Sequence, residues 1–389
     1  MSQIFPKSLY LHIPFCKRRC FYCDFAITTG GESLRQQYVD VLCQEIRLTI
    51  AQIPPVETLQ TIFFGGGTPS LLSVNQIAQI LGTISQYFAI ASDADISLEV
   101  NPGTVTIDSL QGYRSLGINR ISLGAQAFQQ ELLDVCGRGH GVTEIYEAVE
   151  AIKKAGFENF SLDLISGLPN QSMTDWQDSL KSAIALQPNH LSIYDLTIEE
   201  GTAFNKRYQA GDKPLPTEAH TVAMYLEAHE LLPSAGYEHY EISNYAQPSY
   251  QSRHNLTYWH NQPFYGMGMG ATSYINRQRI DRPQKMRAYL DAIALWQIEG
   301  IGFTAPILSD SEELMDTLLQ GLRLAEGLSL KSLQKNYGVA LCDRAIKCLE
   351  KYIETGWVKF IDSQIFLTAP DGWLFSDVAI ADLYETLSL

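Results

Sequence analysis

The sequence lacks any apolar run approaching the roughly 20 residues that cross a bilayer. It opens Met1-Ser-Gln-Ile-Phe-Pro-Lys7, without the charged-then-apolar pattern of a secretory leader. Charge is sparse at 18% of residues, yet apolar residues reach 46%, so a packed core is expected and not disorder. Positive charge is the scarcer sign. A net charge of −15 excludes broad neutralisation of nucleic-acid phosphates and disfavours general adhesion to an anionic membrane. No low-complexity tract and no short repeat is present. These absences predict a soluble, cytoplasmic protein that meets a membrane only peripherally, and no nucleic-acid partner.

Cysteine is also scarce, with seven in 389 residues, too few for a disulfide scaffold. Their distribution is uneven. Cys43, Cys136, Cys342 and Cys348 are scattered and read as buried thiols. Cys16, Cys20 and Cys23 are clustered with the spacing C-x3-C-x2-C. Three thiolates suit three corners of a [4Fe–4S] cubane and leave the fourth iron open to a ligand. The bland alternatives are zinc or unrelated thiols. Zinc commonly takes four ligands from two short Cys/His pairs, and no second Cys pair exists here.

Strand-like runs alternate with helical ones through the first half. Strands are predicted at Leu9–Ile13, Thr61–Phe64, Ile96–Val100, Arg120–Leu123, Ser161–Ile165 and His190–Tyr194. Helices are expected at Leu34–Ile53, Val74–Phe88, Val142–Ala155 and Asp175–Leu186. Six β-then-α units imply an α/β fold with a parallel sheet, either an open partial barrel or a doubly wound sheet. Polar signals gather at the strands' carboxyl ends, where such folds place their chemistry. The cysteine loop follows the first strand and Gly65-Gly66-Gly67-Thr68 the second. Glu99 ends the third, Gln126 follows the fourth and Asp163 lies within the fifth. A linker at Thr304–Ser309 then leads to helices, Glu312–Leu324, Leu330–Tyr337 and Asp343–Gly356, and a hairpin, Val358–Leu367. That order reads as a small winged-helix-like domain. The expected division is 1–235 for the core, 236–305 for an extension of it, and 306–389 for the C-terminal domain.

The cysteine spacing, with Tyr22 before the third Cys, resembles the radical S-adenosylmethionine enzymes. This implies a partial (β/α)6 barrel whose open iron is chelated by the methionine amine and carboxylate. One electron from the reduced cluster then cleaves the sulfonium to a 5′-deoxyadenosyl radical. Gly66, Gly67 and Thr68 look like the family's glycine motif, whose backbone accepts from the methionine ammonium. Glu99, Gln126, Arg138 and Asp163 match, in order, motifs of the oxygen-independent coproporphyrinogen oxidase branch. A bound nucleoside would let Glu99 or Asp163 accept from ribose hydroxyls and its carboxylate would suit Arg138; the resemblance implies that Tyr10 lies near that carboxylate.

Two departures separate the chain from those oxidases. They carry a further Cys two residues after the third, where Phe25 stands here, and a longer N-terminal arm, whereas fifteen residues precede Cys16. The segments His190–Phe204, Tyr240–Ala246 and His254-Asn255-x-x-Tyr258-Trp259 are instead similar to the sister group of HemW-type heme chaperones. This resemblance implies that heme is bound and passed to acceptor hemoproteins, respiratory ones in particular, and that the cluster has an electron donor. Arg253, His254, Tyr258 and Trp259 put the ingredients of a heme site side by side, and His254 is the expected heme contact. Cys136 and Met267 are weaker candidates.

Overall fold

The computed structural model describes residues 5–209, 211–300 and 302–387, so the first four residues of the N-terminal stretch read above lie outside it. The chain begins β1 (Ser8–Ile13), α1 (Glu32–Gln52), β2 (Leu59–Gly66), α2 (Val74–Tyr87), β3 (Ile90–Val100) and α3 (Ile107–Ser115). It continues with β4 (Arg120–Gln126), α4 (Gln130–Val135), α5 (Val142–Lys154), β5 (Phe160–Ser166), α6 (Met173–Ala185) and β6 (His190–Asp195). Local chemistry sets many boundaries. Ser73 and Gln76 form a capping box that opens α2, and Ser172 with Asp175 does the same for α6.

The six strands pair in parallel and in sequence order. A doubly wound sheet reverses its strand order at a switch point, and this one does not. Residues of all six line one interior chamber, among them Tyr10, Phe63, Glu99, Ser122, Asp163 and His190. The sheet therefore curls into a partial barrel, which settles the alternative left open by the sequence. Apolar residues from both faces form one large core, as expected of parallel strands covered by helices.

The next segment comprises α7 (Ala203–Arg207), α8 (Glu218–Ser234), β7 (Glu238–Glu241), β8 (Asn244–Ala246), α9 (Arg253–Trp259), β9 (Tyr265–Met267), β10 (Thr272–Ile275), β11 (Gln278–Asp281) and α10 (Met286–Glu299). β8 adds antiparallel to β6 with β7 outside it, while β9 adds parallel to β1, so both sheet edges are extended. Tyr237, Tyr245, Tyr265, Met267 and Trp296 join the main core. This segment thus shares the barrel's sheet and core. Its helix α9 lies at the strands' amino ends, where Arg253 donates to the Asp93 carbonyl at 2.7 Å and Ser8 meets Thr257 at 2.8 Å.

The last domain runs α11 (Asp310–Gly321), β12 (Leu328–Ser329), α12 (Leu330–Tyr337), α13 (Val339–Glu350), β13 (Val358–Ile361), β14 (Gln364–Leu367), α14 (Asp371–Leu374) and α15 (Ser376–Leu387). Three helices and a three-stranded sheet ordered β12-β14-β13 have the winged-helix arrangement, with α14 and α15 added. The domain has its own core around Leu314, Leu349, Trp373 and Leu383. No helix among the described residues is long and apolar enough to cross a membrane.

Candidate functional site

The three clustered cysteines hang from the loop between β1 and α1. The neck of that loop is closed by Cys16 N–H donating to the Thr28 carbonyl at 3.0 Å and Thr28 N–H to the Pro14 carbonyl at 2.7 Å. Its far side is pinned where Phe21 N–H donates to the Cys136 carbonyl and Phe204 N–H to the Phe21 carbonyl, both at 2.9 Å. The Arg207 guanidinium covers the Phe21 ring at 4.1 Å. All three thiols line one cavity of about 320 Å³ at the carboxyl ends of the strands. No three His, Cys, Asp or Glu groups among the described residues converge on a single ion. A cubane does not need that convergence, since each thiolate takes a separate iron.

The glycine motif forms the adjoining wall. Gly66 has φ +107°, and a Cβ there would lie 2.4 Å from the His12 ring. Its N–H donates to Glu99 Oε2 at 2.9 Å. Gly67 runs so close to the preceding loop that a Cβ would sit 2.8 Å from the Phe15 carbonyl oxygen. Thr68 Oγ1 accepts from Asn101 Nδ2 at 2.8 Å and lies 3.5 Å from Cys16 Sγ.

Glu99 and Asp163 face the same space from β3 and β5. Burial, then the neighbouring Asp163 charge, pushes Glu99 up to about 8, against the lowering effect of the Gly66 N–H. Burial pushes Asp163 up to about 6, although Ser192 and Ser122 donate to it. The Ser122 hydroxyl is 3.2 Å from both Asp163 oxygens. Gln126 is the last residue of β4, not a residue beyond it. It takes φ +73° where the β4–β5 register shifts, and its buried Oε1 has no partner among the described residues.

Arg138 sits under the cysteine loop, and burial, which alone would lower its basicity, is outweighed by Tyr22 and Cys20. Nη1 donates to Tyr22 Oη at 3.2 Å and to Cys20 Sγ at 3.6 Å. Nη2 donates to Asn101 Oδ1 at 2.6 Å and to the Gly124 carbonyl at 2.8 Å. Both terminal nitrogens are thus committed, and the buried Nε has no partner among the described residues. The guanidinium expected for a ligand carboxylate is arranged here to steady Cys20 and Tyr22.

Tyr10 and His254 lie elsewhere. The Tyr10 hydroxyl meets His12 Nδ1 at 3.1 Å and faces the inner chamber of about 190 Å³, which shares Glu99 and Asp163 with the rim cavity. His254 is 1% exposed, at the amino ends of the strands. Its Nδ1 is 2.7 Å from Thr61 Oγ1 and its Nε2 2.8 Å from Tyr258 Oη. One nitrogen donates and the other accepts, so no lone pair is left for an iron. The expected heme contact is instead a hydrogen-bonded residue of the barrel interior. Cys136 and Met267 are likewise fully buried.

Three site residues were not singled out from the sequence. Asn101 links Thr68 to Arg138, Ser122 donates to Asp163, and Tyr194 lines both cavities. Asn101 stands two residues after Glu99, on the same side of the strand end, which is the one signal that could have found it.

The residues fit a sulfonium nucleoside beside a cluster. Glu99 has a single donor in a site that has buried it, and Gln126 Oε1 and Arg138 Nε are orphaned at the same wall. Buried polar groups with hydrogen-bonding capacity to spare, gathered on one cavity wall, suit a polar ligand. Gly124 keeps the wall open, since a Cβ there would lie 2.9 Å from Gln126 Nε2.

Comparison with known proteins agrees. The radical SAM superfamily model matches residues 10–183, and the HemN C-terminal domain model matches 308–375. The chain is 42% identical to the heme chaperone HemW of Synechocystis sp., across 99% of this chain and 98% of that protein. It is 34% identical to heme chaperone HemW of Bacillus subtilis, across 97% of this chain and all of that one. Among solved structures, the radical SAM enzyme coproporphyrinogen III oxidase (HemN) from Escherichia coli superposes with a TM-score of 0.83. That match covers 99% of this chain and 90% of the other at 23% identity, a likeness of fold. The chain belongs to the HemW heme chaperone family of the radical SAM superfamily.

Proposed function

We propose that this protein binds heme and hands it to acceptor hemoproteins, respiratory ones foremost, while carrying a [4Fe–4S] cluster and S-adenosylmethionine. Cys16, Cys20 and Cys23 would hold the cluster. Gly66, Gly67, Thr68, Glu99, Gln126 and Asp163 would hold the nucleoside, with Arg138 and Tyr22 bracing the cysteine loop and Tyr10 beneath. When bound, the reduced cluster supplies an electron to the sulfonium. The chain's own residues orient the ligand and keep water from it. A separate reductant serves the cluster, and any membrane contact is peripheral and made through the acceptor.

The observation that carries the reading is Phe25. It is 58% exposed and lines the mouth of the rim cavity, where the related oxidases carry their further cysteine. An exposed aromatic cannot ligate metal, but it offers an apolar face to a flat macrocycle. The test is anaerobic: the reconstituted, reduced protein is given S-adenosylmethionine and coproporphyrinogen III, and separately hemin. Hemin uptake without protoporphyrinogen is expected. Multiple turnovers to protoporphyrinogen would replace this reading with that of an oxygen-independent coproporphyrinogen III oxidase.

A further inference from the structure

In an iron–sulfur site, hydrogen bonds to the cysteine sulfurs and the charge around them set the reduction potential. With iron bound, each sulfur is a thiolate that can only accept, so the donor aimed at each one matters. The three donors here are unequal. Cys23 accepts from the Phe25 backbone N–H, a neutral donor. Cys16 Sγ lies 3.5 Å from Thr68 Oγ1. That oxygen already accepts from Asn101 Nδ2, so its own hydrogen is free for the sulfur. Cys20 alone, among the described residues, has a cation within hydrogen-bonding distance of its sulfur: Arg138 Nη1 at 3.6 Å.

The placement is enforced. The two terminal nitrogens of a guanidinium carry four hydrogens in one plane. Three of those on Arg138 go to oxygens: Tyr22 Oη from Nη1, and Asn101 Oδ1 and the Gly124 carbonyl from Nη2. These anchors belong to the cysteine loop, the residue after β3, and β4, so the plane cannot turn. The fourth hydrogen is left for Cys20 Sγ. None of the four acceptors is a carboxylate, so no ion pair neutralises the charge there. Arg138 is 7% exposed, where water screens little.

Asn101 orders two donors at once. Its Oδ1 holds Arg138 and its Nδ2 holds Thr68, the one amide orientation that works, because arginine cannot accept. A single side chain thus aims the charged donor at Cys20 and the neutral one at Cys16. The remaining cations of the cysteine loop are placed differently. Lys17, Arg18 and Arg19 are exposed, and Lys17 and Arg19 donate to the Gly103 and Cys23 carbonyls instead of to sulfur. Solvent and salt screen charges of that kind.

We infer that Arg138 sets the reduction potential of the cluster through its charged N–H to Cys20 Sγ, with Asn101 as the positioning residue. The inference rests on the reading that Cys16, Cys20 and Cys23 hold a [4Fe–4S] cluster, and it goes beyond bracing of the loop. An added electron makes the cluster more negative. A buried cation stabilises that state, so the potential rises. The same bond that eases loading of the electron lowers the drive to pass it on.

The test is a redox titration followed by electron paramagnetic resonance. It uses full-length, anaerobically reconstituted protein without S-adenosylmethionine, so that a lost ligand contact cannot enter. Wild type is compared with Arg138→Gln, Arg138→Lys, Asn101→Leu, Thr68→Val and the double variant Arg18→Gln/Arg19→Gln, with iron and sulfide content measured for each. Arg138→Gln should make reduction at least tenfold less favourable, about 59 mV for one electron, at low and high salt alike. Arg138→Lys, which keeps the charge without the fixed plane, should recover part of the shift. Asn101→Leu should move the potential the same way by less, and Thr68→Val least. The double variant should shift only at low salt. A wild-type potential in cluster-bearing Arg138→Gln would overturn the inference, as would a shift that high salt abolishes. If both Arg138 variants fold without a cluster, Asn101→Leu decides: a lowered potential upholds the inference, and a wild-type potential or a missing cluster overturns it. Wild type that forms no [4Fe–4S] cluster would overturn the reading of the cysteine triplet as well.

Discussion

Two glutamates buried in the same barrel show how differently one side chain can be used. Glu45 on α1 is 0% exposed and fully partnered. It accepts from Arg282 Nε at 2.8 Å, Tyr289 Oη at 2.7 Å and Gly268 N–H at 2.8 Å. These bonds fasten the turn after β9 to the helix beneath it. Among the described residues Glu99 has one donor, the Gly66 N–H, no cation, and Asp163 as its charged neighbour. A satisfied acid fastens, whereas an acid buried with lone pairs to spare is strained until something donates to it. The folded chain carries that strain at Glu99 on the rim and not at Glu45.

The contrast can be broken by removing each charge. Glu45→Gln leaves Arg282 buried without its counter-ion and should lower the unfolding free energy by about 3–5 kcal/mol. A denaturant melt measures this, and a wild-type midpoint would mean that Glu45 is no fastener. Glu99→Gln should act on the ligand instead. S-adenosylmethionine binding, read by calorimetry at pH 9, where a carboxyl held near 8 is ionised, should weaken by about 1.5–3 kcal/mol through the lost charge-assisted bond. Stability should move the other way. Because the folded value of about 8 exceeds the ordinary 4.5, the wild type binds more protons folded than unfolded. It therefore loses stability as pH rises between those values, and Glu99→Gln escapes the loss. Thermal melts of the two proteins should diverge toward pH 9; parallel curves would contradict the burial of an under-partnered acid.

The smallest expected effect sharpens the comparison. Ser122→Ala removes one donor from Asp163 and should raise its protonation range above about 6. Ligand affinity near pH 6 should fall by about 1 kcal/mol and recover as pH rises. An equal deficit at all pH values would assign Ser122 a packing role only.

Much of the rim was legible along the chain because it consists of residues whose types are costly anywhere else. Three close cysteines, a triple glycine and acids inside apolar strands each contradict the local pattern of a core. Asn101 and Ser122 were not legible, since a strand-end Asn and a strand Ser are unremarkable until β2, β3, β4 and β5 bring Thr68, Arg138 and Asp163 beside them. His254 shows the opposite failure. With Arg253, Tyr258 and Trp259 it resembled a heme site in one dimension, but α9 turns its ring into the foot of the barrel, where Thr61 and Tyr258 use both nitrogens.

By itself the sequence determined the β/α alternation, the C-terminal helices and hairpin, and the cysteine triplet, all of which depend on periodicity and spacing between near neighbours. Only the tertiary structure decided that the strands curl without a switch point, which acid is satisfied and which waits, and that His254 spends both ring nitrogens inside the barrel. Those outcomes depend on which distant groups meet in a low-dielectric interior, where a single hydrogen bond made or withheld changes what a side chain can do.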